Sequence, residues 1–356
     1  MIYKNVQVLR AAAASLVVMA HSCGIMYVPM ELVTLGTSGV DIFFVISGFI
    51  ICQIAARPQN GAVYFLARRW WRIFPLYWIV LAVSVVLSAA FNMNLAPWMP
   101  AQHPALDYVL LLTADNRYLP QAWSLVFELY FYASLAFVLF VAPAGRFYRT
   151  LAVWIGAQIA LVALCGPNGG PPLNPLSLEF GLGCVVAWLN ARNWIRSEWI
   201  AWGVGLLFFG AGEWWSIYVA PLAPLPRLFT FGFGAALGLY ALVGLERRGM
   251  RMFPDVLVRL GDASYSLYLW HLPLLAIFAA IGIRKAPALA LVFLAAFASY
   301  YLIEAPLLRL DVPKLLQRVA RRAIVPVRSG WTRFGQRLRE RFNGSSSPVA
   351  WARPDS

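Results

Sequence analysis

Residues 8–27 read VLRAAAASLVVMAHSCGIMY, an apolar run of about the 20 residues that a membrane-crossing helix needs. One guanidinium, Arg10, and one imidazole, His21, are set into it. Lys4 and Arg10 ahead of an apolar stretch also suit a signal peptide, but no small-residue cleavage site follows, so the segment is expected to be retained.

The rest of the chain repeats this pattern. Of 356 residues, 61% are hydrophobic and 12% charged, and the mean hydropathy is +0.68. Soluble domains carry about 25% charged residues, so so few charges leave a soluble fold short of surface. The reading is an all-α polytopic membrane protein of about ten transmembrane helices. The spans are placed at 8–27, 36–56, 73–91, 121–142, 150–166, 174–190, 199–220, 228–245, 263–282 and 286–308. Tryptophans near span ends (Trp70, Trp71, Trp98, Trp123, Trp199) suit an interfacial belt.

Charge sets the orientation. Before residue 309 there are eighteen Lys and Arg, and fourteen of them fall on the side shared by the two termini. The other side keeps Arg117, Arg227, Arg284 and Lys285. Basic residues accumulate on the cytoplasmic face, so both termini are expected in the cytoplasm of a bacterial inner membrane. Residues 1–308 form the transmembrane domain. Residues 309–356, with eleven basic residues, form a cytoplasmic tail, its first part on the leaflet and its end disordered. The net charge of +14 is topology charge plus attraction to anionic lipid; with no nucleic-acid-binding motif, no nucleic-acid partner is expected. Cys23, Cys52, Cys165 and Cys184 form no CxxC pair and there are three histidines, so no metal is expected. Between the third and fourth spans, residues 92–120 carry Tyr108-Val109-Leu110-Leu111-Leu112, too short to cross; an interfacial helix and an ordinary loop both fit.

Ionisable groups inside spans are costly and mark candidate sites. Arg10 and His21 lie 11 residues apart, about 1100° of helix rotation or about 20° from three full turns, and about 16 Å along the axis. They share a face, either as cation and titratable base of one cavity or as a snorkelling arginine and a bundle-bonded histidine. Histidine is the natural base at neutral pH, and Asp41 or Glu128 is placed to orient it. Trp123, Ser124 and Glu128 open the fourth span, Ser124 and Glu128 on one face, with an N-cap the simpler role for Ser124. His271 and Glu304 are placed in the inner halves of the last two spans, where either could tie helices together. The Arg68-Arg69-Trp70-Trp71-Arg72 cluster suits either a phosphorylated cytoplasmic ligand or lipid headgroups.

Leu9-Arg10 through His21-Ser22, Gly39 to Phe49 (GVDIFFVISGF), Arg68-Arg69 to Tyr77, Trp123 to Glu128 (WSLVFE), Ser264 to His271 (SYSLYLWH) and Ile303 to Pro306 (IEAP) together resemble the acyltransferase 3 family of integral membrane acyltransferases. The six motifs stand in order between about residues 4 and 308, and the chain resembles the short members found with exopolysaccharide synthesis. The resemblance implies transfer of an acyl group, usually acetyl from acetyl-CoA as co-substrate, onto a hydroxyl of a cell-surface glycan, with no bound cofactor. It implies a catalytic role for His21, with Asp41 or Glu128 assisting. It places Arg10, Arg68, Arg69 and Arg72 on the acyl-CoA side, and leaves Trp123, Ser124, His271 and Glu304 as acceptor-binding or structural. Many relatives carry an arginine where this chain has Trp71. A transporter of a glycan or lipid-linked intermediate, or a non-catalytic scaffold, would place similar residues around a cavity without acyl chemistry.

Overall fold

A computed structural model of the chain describes residues 3–315 apart from 25–28, 58–60, 92, 94, 97–98, 100–102, 144, 168 and 284. The described residues are all-helical. In order the helices are α1 (Lys4–His21), α2 (Met30–Thr37), α3 (Gly39–Ala55), α4 (Ala62–Phe91), α5 (Ala105–Leu110), α6 (Trp123–Val141), α7 (Phe147–Cys165), α8 (Ser177–Ala191), α9 (Glu198–Tyr218), α10 (Pro224–Arg227), α11 (Phe233–Arg247), α12 (Asp255–Asp262), α13 (Ser264–Ala280), α14 (Lys285–Ser299) and α15 (Ala305–Arg309). A π-helical turn, Leu228–Gly232, joins α10 to α11, and a second, Tyr300–Glu304, joins α14 to α15.

A helix stands at each expected span, but not all are long and apolar enough to cross a membrane on their own. Among the described residues six meet that standard: Glu31–Ala55, Ala62–Phe91, Pro120–Val141, Phe147–Cys165, Pro224–Arg247 and Ala286–Leu315. The pair α12 and α13, bent by 67°, makes a seventh if it is one span. The expected first span is the 18-residue α1, diluted by Lys4, Asn5, Gln7, Arg10 and His21; α8 is only 15 residues, and α9 carries Glu198 and Glu213. Trp98, Arg284 and the tail beyond residue 315 lie outside the described residues.

Helix α1 is central, packed by α2, α3, α11, α12 and α13. Its alanines make this feasible, since small residues let neighbouring backbones approach. A Cβ built on Gly39 would lie 2.5 Å from the Ala13 carbonyl oxygen, and one on Gly261 only 1.9 Å from that of Gln7. The start of α1 is pinned by an acid from another helix. The backbone N–H groups of Lys4 and Asn5 donate to the two Glu246 carboxylate oxygens at 2.6 and 2.7 Å, and Lys4 Nζ pairs with Asp255 at 2.7 Å. First-turn N–H groups have no partner within their own helix, and an anion there is favoured by the helix dipole.

A second crossing at backbone contact is that between α3 and α8. A Cβ on Gly48 would sit 2.1 Å from the Phe180 carbonyl oxygen, and one on Gly183 2.0 Å from that of Val45. Above it Phe44, Phe180 and Phe131 stack at centroid distances of 4.5 and 4.6 Å. The connection between α4 and α6 forms the six-residue α5, with Tyr108 buried. Tyr77 Oη donates to the Tyr108 carbonyl, and Trp78 Nε1 to that of Val109 at 2.9 Å, so α5 is clamped to α4.

Candidate active site

Helix α4 begins eleven residues before the expected third span, so Arg68 to Arg72 lie on a helix within the bundle and not on a loop. Two of the three arginines there turn inward. Arg69 and Arg72 join Arg10, Ser47, Ser124, Glu128, Tyr132 and Tyr268 around a cavity of about 150 Å³. Arg68 is exposed, its guanidinium 5.8 Å from the Tyr64 ring, and does not line that cavity. This corrects its grouping with the other three.

The guanidiniums are held to different degrees. Arg72 pairs with Glu304, which is 2% exposed and also accepts a hydrogen bond from Ser266 Oγ at 2.6 Å. Arg72 also lies 5.3 Å from the Tyr265 ring, so its position is fixed from two sides. Arg10 donates to Gln7 Oε1 at 3.0 Å. Arg69 Nε is buried without a protein partner, a donor left for something else in a cavity of this kind. Trp71 donates from Nε1 to the Leu307 carbonyl at 3.0 Å and braces α4 against α15.

Glu128 belongs to this cavity. It accepts a hydrogen bond from Tyr132 Oη, one turn further along α6, and a longer one from Ser47 Oγ at 3.4 Å. It does not orient His21. Neither does Asp41, which is 0% exposed and whose Oδ1 and Oδ2 accept from Arg227 Nε and Nη2 at 2.7 and 2.6 Å. The expectation of a carboxylate partner for His21 is therefore corrected: the backbone takes that role. His21 Nδ1 lies 2.9 Å from the Val17 carbonyl oxygen. A carbonyl only accepts, so Nδ1 carries the hydrogen and Nε2 keeps a lone pair.

His271 repeats the arrangement. Its Nδ1 lies 2.7 Å from the Tyr268 carbonyl oxygen, and its Nε2 is buried with no protein partner. The two imidazole rings lie 5.1 Å apart, tilted by 50°, so His271 on α13 adjoins His21 on α1. His21 is exposed while His271 is 0% exposed, which gives the pair one face open to a substrate.

Among the described residues His21 does not line the cavity that holds Arg10. Tyr268 lines the cavity that holds Arg10, and its ring packs 5.9 Å from that of His271. Phe43 meets Tyr268 edge-on at 6.1 Å. Tyr268 Oη donates to the Gln121 carbonyl and accepts from Ser124 Oγ at 2.6 Å, so Ser124 fixes this wall and is not an N-cap. Gln121 in turn donates to the Leu269 carbonyl at 2.9 Å. That oxygen is free because Pro273, four residues on, has no N–H to give it. Trp123 packs against Phe44 and Phe127 at 6.2 and 5.6 Å and lies outside the cavity lining.

Sequence reasoning passed over Tyr268, Tyr132, Gln121 and Arg227. Tyr268 and Tyr132 were readable by helical spacing, three residues before His271 and four after Glu128. Arg227 was one of four basic residues on the side that should have few.

The family model described as "Acyltransferase domain" matches residues 3–304. The chain is 33% identical over 299 residues to "Exopolysaccharide production protein ExoZ" of Rhizobium meliloti (strain 1021), across 78% of this chain and 90% of that relative. It is 27% identical over 281 residues to "Acyltransferase MdmB" of Streptomyces mycarofaciens, across 68% of this chain and 69% of the relative. No solved structure matches the chain.

Proposed function

The chain belongs to the acyltransferase domain family, and from that premise we propose that it moves an acyl group from acyl-CoA to a hydroxyl of an exopolysaccharide or other cell-surface glycan, in a bacterial inner membrane. The printed name of the exopolysaccharide relative supports the acceptor class. Acetyl is the expected acyl group.

The observation that carries the mechanism is the pairing of two compartments across one tyrosine. On one side Arg10, Arg69 and Arg72 gather positive charge suited to phosphate groups, which arginine forks bind well. On the other, two imidazoles with ring centroids 5.1 Å apart each set Nδ1 against a backbone carbonyl, which leaves Nε2 for a substrate. The acyl-CoA phosphates would sit with the arginines, Arg69 supplying the free donor. The thioester would pass Tyr268 and Phe43 to reach His21. His271 Nε2 would accept a hydrogen bond from an acceptor hydroxyl and hold it in place. His21 Nε2 would take the proton of the reacting hydroxyl as its oxygen bonds to the acyl carbon. The carbon–sulfur bond then breaks, and the proton passes from His21 to the departing sulfur, giving ester and free thiol.

Glu128 balances the arginines, and Asp41 serves the scaffold through Arg227. His21→Ala in a folded, membrane-inserted protein should abolish acylation of the surface glycan, read by mass spectrometry of glycan from the complemented strain. Retained acylation would remove His21 from the chemistry.

A further inference from the structure

A second cavity, of about 330 Å³, lies between α7 and α8 and is lined by Tyr148, Arg149, Leu151, Ala152, Ile155, Cys184, Val185, Trp188 and Arg192. It shares no lining residue with the cavity that holds Arg10, Arg69 and Arg72, and the mechanism does not use it. Its residues are sorted by depth. Tyr148, Arg149, Trp188 and Arg192 stand at one end; Ile155, Cys184 and Val185 stand at the other. At 1.5 Å per residue the lining runs about 10 Å along α7 and about 12 Å along α8. The charged end is the one that the distribution of basic residues assigns to the cytoplasm, and the apolar end points into the membrane.

Neither arginine has a carboxylate within ion-pair distance among the described residues. Arg192 is instead held against two indoles that pack edge-on at 5.2 Å, with its guanidinium 4.6 Å from the Trp188 ring and 5.0 Å from that of Trp194. Stacking of this kind orients a guanidinium while leaving its N–H edge free. Ala152 and Val185 are exposed on the walls, and α7 is mostly unburied along its length, so the groove opens sideways into hydrocarbon.

We propose that this groove is a binding site for an anionic phospholipid of the cytoplasmic leaflet, its phosphate between Arg149 and Arg192 and the upper part of one acyl chain against Leu151, Ile155 and Val185. The charge complementarity selects against the chain's own tail, which carries eleven basic residues against three acidic ones after residue 308. A zwitterionic lipid fits the apolar walls equally well, but its own cation cancels the attraction at the mouth.

The test is native mass spectrometry of the purified full chain with phosphatidylglycerol and phosphatidylcholine of matched acyl chains. Bound phosphatidylglycerol should exceed phosphatidylcholine by about tenfold, an advantage of about 1.4 kcal/mol. The Arg149→Ala/Arg192→Ala double variant should lose that preference, while Arg146→Ala, outside the lining, should keep it. Ala152→Trp, which fills the groove and keeps both arginines, should lower retention of both lipids, and it carries the test if the double variant does not fold. Three results would overturn the proposal: preference retained in the double variant, displacement of phosphatidylglycerol by equimolar polyprenyl phosphate, or a dimer that Ala152→Trp dissociates. Loss of glycan acylation in His21→Ala has no bearing on this readout, so the two readings fail separately.

Discussion

Asp41 and Arg227 form a two-point ion pair at 2.7 and 2.6 Å between the first turn of α3 and the end of α10, with the carboxylate wholly out of contact with water. Arg227 Nη2 also reaches the Thr37 carbonyl at 2.7 Å, so one side chain ties α10 to the α2–α3 corner. Breaking a buried pair by removing one partner costs about 3–5 kcal/mol, because the other charge is left behind. Asp41→Ala should therefore lower the thermal midpoint in detergent sharply, and Asp41→Ala/Arg227→Met should recover much of that loss. Activity per folded molecule of the double variant should stay near that of the parent; a deep loss there would return Asp41 to the chemistry.

Arg68 and Arg69 are neighbours in sequence but face different surroundings. Arg69→Ala should raise the KM for acyl-CoA about 10-fold or more, since a hydrogen bond to a charged group is worth about 1.5–3 kcal/mol. Arg68→Ala should change it by less than about threefold. Steady-state kinetics in nanodiscs with varied acyl-CoA measures both.

The paired imidazoles predict a split in parameters. His271→Ala should lower kcat/KM for the glycan acceptor by about 10–100-fold, within the usual reach of a positioned polar group. The KM for acyl-CoA should stay within about threefold. An equal loss for both substrates would mean that His271 only supports the bundle.

Tyr268→Phe keeps the ring wall and removes the hydroxyl that links Ser124 to the Gln121 carbonyl. Leaving a buried donor and acceptor without partners costs about 1–3 kcal/mol, so a lower thermal midpoint is expected with acylation retained. Tyr268→Ala should instead open the wall, and the measurable sign is hydrolysis of acyl-CoA in the absence of glycan.

The helical, multi-pass character was legible because it depends on composition and on runs of apolar residues, which are local. Helix ends were less so: α4 continues through Arg68 to Arg72 because their guanidiniums find a cavity and rings, which no hydropathy window registers. The Arg10–His21 spacing suggested one shared chamber, but helical spacing over about 16 Å does not guarantee one. Tyr268, brought in from α13 more than 240 residues later, divides it. Asp41 looked like a partner for His21 because both lay toward one side of the membrane. The long-range contact that claims it, Arg227, is invisible to spacing.

At Gly48 and Gly183 the main chains of α3 and α8 already touch, leaving neither helix room to slide over the other. Substrates as large as a nucleotide thioester and a sugar still have to arrive and depart. That freedom has to be supplied by parts of the bundle not welded together in this way. Gly261 holds α12 just as tightly against Gln7 of α1, so the natural place is α13, beyond the 67° elbow, and α13 bears both the dividing tyrosine and one of the two imidazoles. A single tilt of that segment would adjust the passage and the proton-handling group at once, so admission and chemistry share one moving part.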